Sequence, residues 1–153
     1  MFDEILGLPA HPLIIHATVI LTPLLVVLAT VYALVARTRA VLTWAVTVLA
    51  LVVPVVVFTA RESGEELVEE RFSSAGGQLG QRIAEHESFA TPLLLAGLAL
   101  GAVSLGLVYA SRAGRLPKPA EVALTVLTVL VAVVTGYYVV RAGHSGAVAV
   151  WGN

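Results

Sequence analysis

Four histidines, His11, His16, His86 and His144, are the side chains of this 153-residue chain best suited to bind a metal or to move a proton. His11 and His16 stand at the mouth of the first apolar segment, His86 precedes the third and His144 follows the fourth. If those segments cross a membrane, all four fall at one of its surfaces, where helices about 10 Å apart can share a ligand. Five residues of helix turn through about 500° and rise about 7 Å, so His11 and His16 occupy different faces and His16 lies deeper. An ionisable group at that depth is costly, which makes His16 a functional candidate. Coming from different helices, His16 and His86 are the expected axial pair for a haem. The plainer alternative is that His16 only satisfies a backbone carbonyl.

Carboxylates and arginines gather at the same surface. Glu62, Glu65, Glu66 and Glu69 recur at helical spacing just after the second apolar segment. Glu62, Glu65 and Glu66 could join His11, His16, His86 and His144 around zinc, copper or iron. A glutamate stripe on an exposed helix is also, more simply, a solvated face. Arg61 and Arg141 close the second and fourth segments, where they could hold haem propionates or reach lipid phosphates. The chain has no cysteine, and its one methionine is Met1. Covalent haem attachment and disulfides are therefore excluded, and histidine is left as the common axial ligand.

The elements that must position these groups are membrane helices. Apolar residues make up 58% of the chain and charged residues 12%, far below the roughly one quarter of a soluble domain. Four stretches, about 12–36, 40–60, 91–111 and 120–140, each supply the roughly 20 apolar residues that span a bilayer. The expected fold is all-α: one integral membrane domain, a four-helix bundle. Acidic residues near the amino terminus argue against a secretory signal, so the first segment is expected to be a retained span.

Arg37, Arg39, Arg112, Arg115 and Lys118 fall in the two short connections, whereas seven glutamates and three arginines fall between the second and third spans. The basic loops are expected to face the cytoplasm, with both termini and the acidic 61–90 loop outside. "RESGEELVEERFS" and "GQLGQRIAEHESFA" suggest two short amphipathic helices in that loop, separated by "SSAGG". The tail "RAGHSGAVAVWGN" is broken by glycine, too short to span, and expected to fold back so that His144 crosses the opening.

The two hairpins echo each other. His11 to Arg37 and His86 to Arg112 have equal spacing, and both second helices run into an arginine followed by Ser-Gly. "TPLL" at Thr22 and at Thr91 demands a different register, so sequence alone leaves a duplication undecided. Gly97, Gly101 and Gly106 permit close helix contact, within the bundle or in a homo-oligomer. Phosphate loops, nucleophile elbows, His-Glu-x-x-His zinc motifs and basic stripes for nucleic acid are lacking, which argues against hydrolases and nucleic-acid partners.

"HPLIIHATVILTPLL", "SGEELVEE", "EHESFA" and "GHSGAVAVWG" together resemble, in order and position, a family of bacterial membrane proteins, domain of unknown function 2231. The resemblance implies a four-span domain of the bacterial cytoplasmic membrane, with His11, Pro12, His16, His86 and His144 as family positions. Family members have Phe-Pro soon after the second histidine, where this chain has Ala17-Thr18. Three functions stay open from sequence. One is a b-type haem protein passing electrons to an outer partner, another a non-haem metal site for sensing or transport. The third is a cofactor-free scaffold that binds a protein through its acidic loop.

Overall fold

The computed structural model describes residues 4–5, 8–114 and 117–152. Arg115, one of the loop cations, lies outside the described residues. Five helices account for nearly all of the chain: α1 (Ala10–Leu34), α2 (Arg39–Arg71), α3 (Gly77–Ser88), α4 (Ala90–Ala113) and α5 (Lys118–Trp151). A single turn of 3-10 helix, Ala36–Thr38, joins α1 to α2, and a two-residue antiparallel ladder, Glu4–Ile5 with Leu8–Pro9, precedes α1. The fold is the expected all-α four-helix bundle, and four helical stretches are long and apolar enough to cross a membrane.

The outward surface agrees with that. Val55, Leu95 and Val133 are 63%, 61% and 66% exposed, and similar residues surround the bundle. Such a surface is compatible only with hydrocarbon around it. This is a multi-pass membrane protein.

The interior follows a seven-residue rhythm. Thr18, Thr22, Leu25, Ala29 and Tyr32 are buried on α1, and Leu93, Gly97, Leu100, Ser104 and Leu107 on α4, alternating steps of four and three. Val46, Ala50, Val53 and Val57 continue the pattern on α2, as do Thr128, Ala132, Thr135 and Val139 on α5. This is the seam of a left-handed bundle, built largely from small and hydroxyl-bearing residues that let helices approach. Around the bundle α1 neighbours α2 and α5, and α4 neighbours the same two, so α1 and α4 are diagonal.

These stripes also settle the repeat. An offset of 75 residues carries all six buried residues of α1 (18, 22, 25, 29, 32 and 33) onto buried residues of α4. An offset of 82 carries all five buried residues of α5 back onto buried residues of α2. The bundle is two like hairpins related by an approximate two-fold axis along its length, the parallel-repeat arrangement known from membrane proteins.

Two expected breaks are absent. The first loop helix is a continuation of α2, which runs unbroken through Gly64 to Arg71. Glycine costs a helix about 1 kcal/mol, a penalty opposed here by the Arg61–Glu65 pair one turn apart at 2.6 Å. Likewise the tail does not fold back: α5 continues to Trp151, and α3 packs along it. The second loop helix is α3, as expected. At about 1.5 Å per residue α2 and α5 are each about 50 Å long, against about 30 Å of hydrocarbon. Because both start level with the far ends of α1 and α4, their surplus projects at the histidine end.

Pro54 deprives the Ala50 carbonyl of its helical donor. Gly101 on α4 comes against that oxygen, so closely that a Cβ there would lie 2.6 Å from it. The contact permitted by Gly101 is thus internal to the bundle. Gly114 ends α4 in the left-handed conformation (φ 60°), its N–H donating to Ala110. At that end Tyr32 Oη lies 2.7 Å from Ser111 Oγ, and Arg39 donates to the Tyr32 and Ala33 carbonyls and pairs with Glu121 at 2.5 Å. A cleft of about 330 Å³ beside them is lined by Arg39, Lys118, Glu121, Val122, Thr125 and Val126.

Candidate functional site: two clamped histidines

His11 lies on α1 seven residues before Thr18 and continues its core stripe past the apolar core, while His86 lies on α3, seven residues before Leu93 of α4 and just ahead of the break at Phe89. Each ring is received by the second helix of its own hairpin. His11 Nδ1 is 3.0 Å from Ser63 Oγ on α2, and His86 Nδ1 is 3.2 Å from Ser145 Oγ on α5. The next residue in both cases is a glycine, and the rings lie over it. A Cβ on Gly64 would be 2.9 Å from His11 Cε1, and one on Gly146 would be 3.0 Å from His86 Cε1. The distances to Nδ1 (3.4 and 3.3 Å) and Nε2 (3.6 Å in both) also agree. The repeat therefore extends from the backbone to the orientation of the rings.

The serines set the tautomer. Ser63 Oγ donates to the Ala60 carbonyl and Ser145 Oγ to that of Ala142, each at 3.1 Å. A hydroxyl has one proton, so each serine oxygen can only accept from its histidine. Nδ1–H is the donor, with the same alanine carbonyls also drawing on it. A neutral ring so held carries its lone pair on Nε2, the state a metal requires. The two rings are close enough for a charge on His86 to act on His11.

The remaining candidates are placed differently. His16 is exposed, and its Nδ1 is satisfied within its own helix, 2.5 Å from the Pro12 carbonyl. This is the plain alternative anticipated for it, and the ring that shares the bundle end with His86 is that of His11. His144 is exposed beside the buried Ser145, since adjacent helical residues point about 100° apart. Arg61 binds Glu62 and Glu65, each at 2.6 Å, and its Nε reaches Thr91 Oγ1 at 3.3 Å. The carboxylates expected to assist a metal are thereby partly engaged, and Glu66 too has a partner. Among the described residues no three His, Asp or Glu side chains gather as a metal site would require. Arg141 lies over the Phe89 ring at 5.1 Å with Nη2 3.6 Å from Glu85, while its buried Nε has no hydrogen-bond partner among the described residues.

The serine–glycine clamps are what sequence reasoning left unassigned. Their signal was present in the Ser-Gly that ends each half of the repeat. Fold and site together define a membrane four-helix bundle of two hairpins, each fixing one histidine at the same end. Comparison with protein families, with curated proteins and with solved structures finds no match.

Proposed function

We propose that the protein is a membrane cofactor module in which His11 and His86 are the axial ligands of a b-type haem, with a role in electron transfer. One observation carries this reading: two histidines, one on α1 and one on α3, at the same end of the bundle, each held through Nδ1 so that Nε2 is the free lone pair. Two is the number of ligands a porphyrin iron takes from a protein, the macrocycle supplying the rest. Structural zinc needs four protein ligands and catalytic zinc three, more than this pair supplies.

The residues around the pair fit such a group. The surplus turns of α2 and α5, with α3 tied to the end of α5 by Arg82 donating to the Gly152 carbonyl, add protein beyond the histidines. Arg141, with a buried and unpartnered Nε, is better placed for a propionate than Arg61, whose charge is met by two carboxylates. Bound haem would supply one-electron chemistry; the chain's part is to ligate, orient and shield it. In this reading the protein belongs to the bacterial family it resembles and sits in the cytoplasmic membrane. Both termini and the histidine end are extracytoplasmic, and a redox partner docks there.

The test is a spectrum with and without dithionite, and iron content, of protein purified after expression with haem precursor. An intense violet band that shifts on reduction is expected, lost in His11→Ala and in His86→Ala and kept in His16→Ala and His144→Ala. Colourless protein, or a band indifferent to both His11 and His86, overturns the proposal.

A further inference from the structure

The core inward of the histidines contains a polar site of its own. Thr22 on α1 is fully buried, yet its hydroxyl has no hydrogen-bond partner among the described residues. A buried hydroxyl without a partner is costly, and more so at membrane depth. The repeat makes Thr22 equivalent to Gly97 on the diagonal helix α4. Gly97 is itself buried, but a Cβ built there would meet nothing among the described residues from beyond its own stretch of helix within 4 Å. Gly101, one turn on, is by contrast pressed against Ala50.

An unpartnered hydroxyl and a buried open position thus occupy equivalent places on α1 and α4, the first eleven residues or about 16 Å inward of His11. Thr135 reaches the same level, ten residues or about 15 Å inward of Ser145. Its one hydroxyl proton is shared between the Val131 carbonyl of its own helix at 2.8 Å and the Ala96 carbonyl across, next to Gly97, at 3.1 Å, and its lone pairs remain able to accept. One turn deeper the equivalent pair Leu25 and Leu100, both fully buried, closes the core.

We infer that this space between Thr22, Gly97 and Thr135 is a binding site for water within the membrane core, one or two molecules resting on the Leu25–Leu100 layer. Among the described residues no heavy atom of a neighbouring element comes within 4 Å of the Gly97 Cβ position, so room is left between it and the Thr22 and Thr135 hydroxyls, which supply the partners a buried water requires. Water held there satisfies Thr22 and gives the histidine end a proton-exchanging neighbour deeper in the bundle. The inference stands on the core alone and does not depend on a haem.

Water-edited solid-state NMR of the labelled protein in bilayers tests it. Polarisation transfer from water is expected at the Thr22 methyl and the Gly97 Hα, and not at the methyls of Leu25 and Leu100. Thr22→Val should abolish the transfer at Gly97 and lower the thermal midpoint, because the water loses its anchor. If Thr22 and Gly97 are as dry as the two leucines in the unmodified protein, the site does not exist. A Thr22→Val variant that is more stable rules the site out as well, since removing a merely unpaired hydroxyl relieves a cost.

Discussion

Gly143 and Gly146 lie three residues apart on α5, and replacing each by alanine isolates the work done by the histidine clamp. Both changes gain the same helix propensity, about 1 kcal/mol. At Gly143 the new methyl meets nothing within 4 Å, so Gly143→Ala should stabilise by about that amount. At Gly146 the methyl would stand 3.0 Å from His86 Cε1 and 3.3 Å from Nδ1, so the ring must give by a few tenths of an ångström, which strains its already long 3.2 Å bond to Ser145. Losing that hydrogen bond in a part-buried setting costs about 1–3 kcal/mol. Gly146→Ala should therefore be neutral or destabilising by up to about 2 kcal/mol, setting the two variants about 1–3 kcal/mol apart. Unfolding in detergent micelles, followed by circular dichroism, measures the difference. In a His86→Ala background the gap should close, because nothing is left to displace. Equal stabilisation by both alanines with His86 present would falsify the clamp. Gly64→Ala, with His11 at 2.9 Å, should behave as Gly146→Ala does.

Other expectations follow from the same contacts. Ser63→Ala and Ser145→Ala should each cost about 1 kcal/mol of stability and, in titrations with haem, about 10–100-fold in affinity, the usual effect of losing a ligand's outer hydrogen bond; unchanged affinity in both would remove the serines from the site. Arg39→Ala should destabilise by about 1–3 kcal/mol in chemical unfolding, since Arg39 holds two carbonyls at the end of α1 as well as Glu121. Glu121→Gln should cost under about 1 kcal/mol, because that side chain is 38% exposed and solvent screens it. Ser74→Cys, in an otherwise cysteine-free chain, should react with an impermeant maleimide in intact cells, and Arg112→Cys only after permeabilisation; the reverse pattern would invert the proposed orientation.

The spans were legible because runs of apolar residues between basic connections leave little choice of fold. The rotation of each helix was not. α1 is apolar on every side, with Leu13, Val19, Ile20, Leu24 and Val27 exposed, so hydrophobicity does not mark its buried face. What marks it is the spacing of small and hydroxyl residues: Thr18, Thr22 and Ala29, with Leu25 between, fix a seven-residue stripe that reaches back to His11 and misses His16. Depth favoured His16, whereas rotation placed His11 with the bundle. Helix continuity past Gly64 and Gly143 was hidden for a related reason. Glycine signals a break only when nothing packs on the helix, and here a histidine ring and α3 do. The histidine set itself was visible by residue type, although its four members do not converge.

The structural likeness of the two hairpins explains why two registers competed in the sequence. First helices match at an offset of 75 and second helices at 82; the connections, 35–38 and 114–117, are equally long, so the seven extra residues fall in the last turn of α4 and the first turn of α5, and no single alignment shift can express both. The "TPLL" match is incidental: Thr22 is fully buried, while Thr91 is exposed beside Arg61. Two of the core differences between the halves share a form. Thr22 stands against Gly97, and Ser104 against Ala29, and both hydroxyls are without hydrogen-bond partners among the described residues. In each case one half carries a hydroxyl, and the other half holds a residue small enough to leave room at the equivalent place. A symmetric core would have put two hydroxyls or two methyls there. Other core pairs differ without leaving room: Thr18 stands against Leu93, Tyr32 against Leu107 and Val53 against Thr135, so among the described residues only these two levels combine an unpartnered hydroxyl with a small residue across the axis.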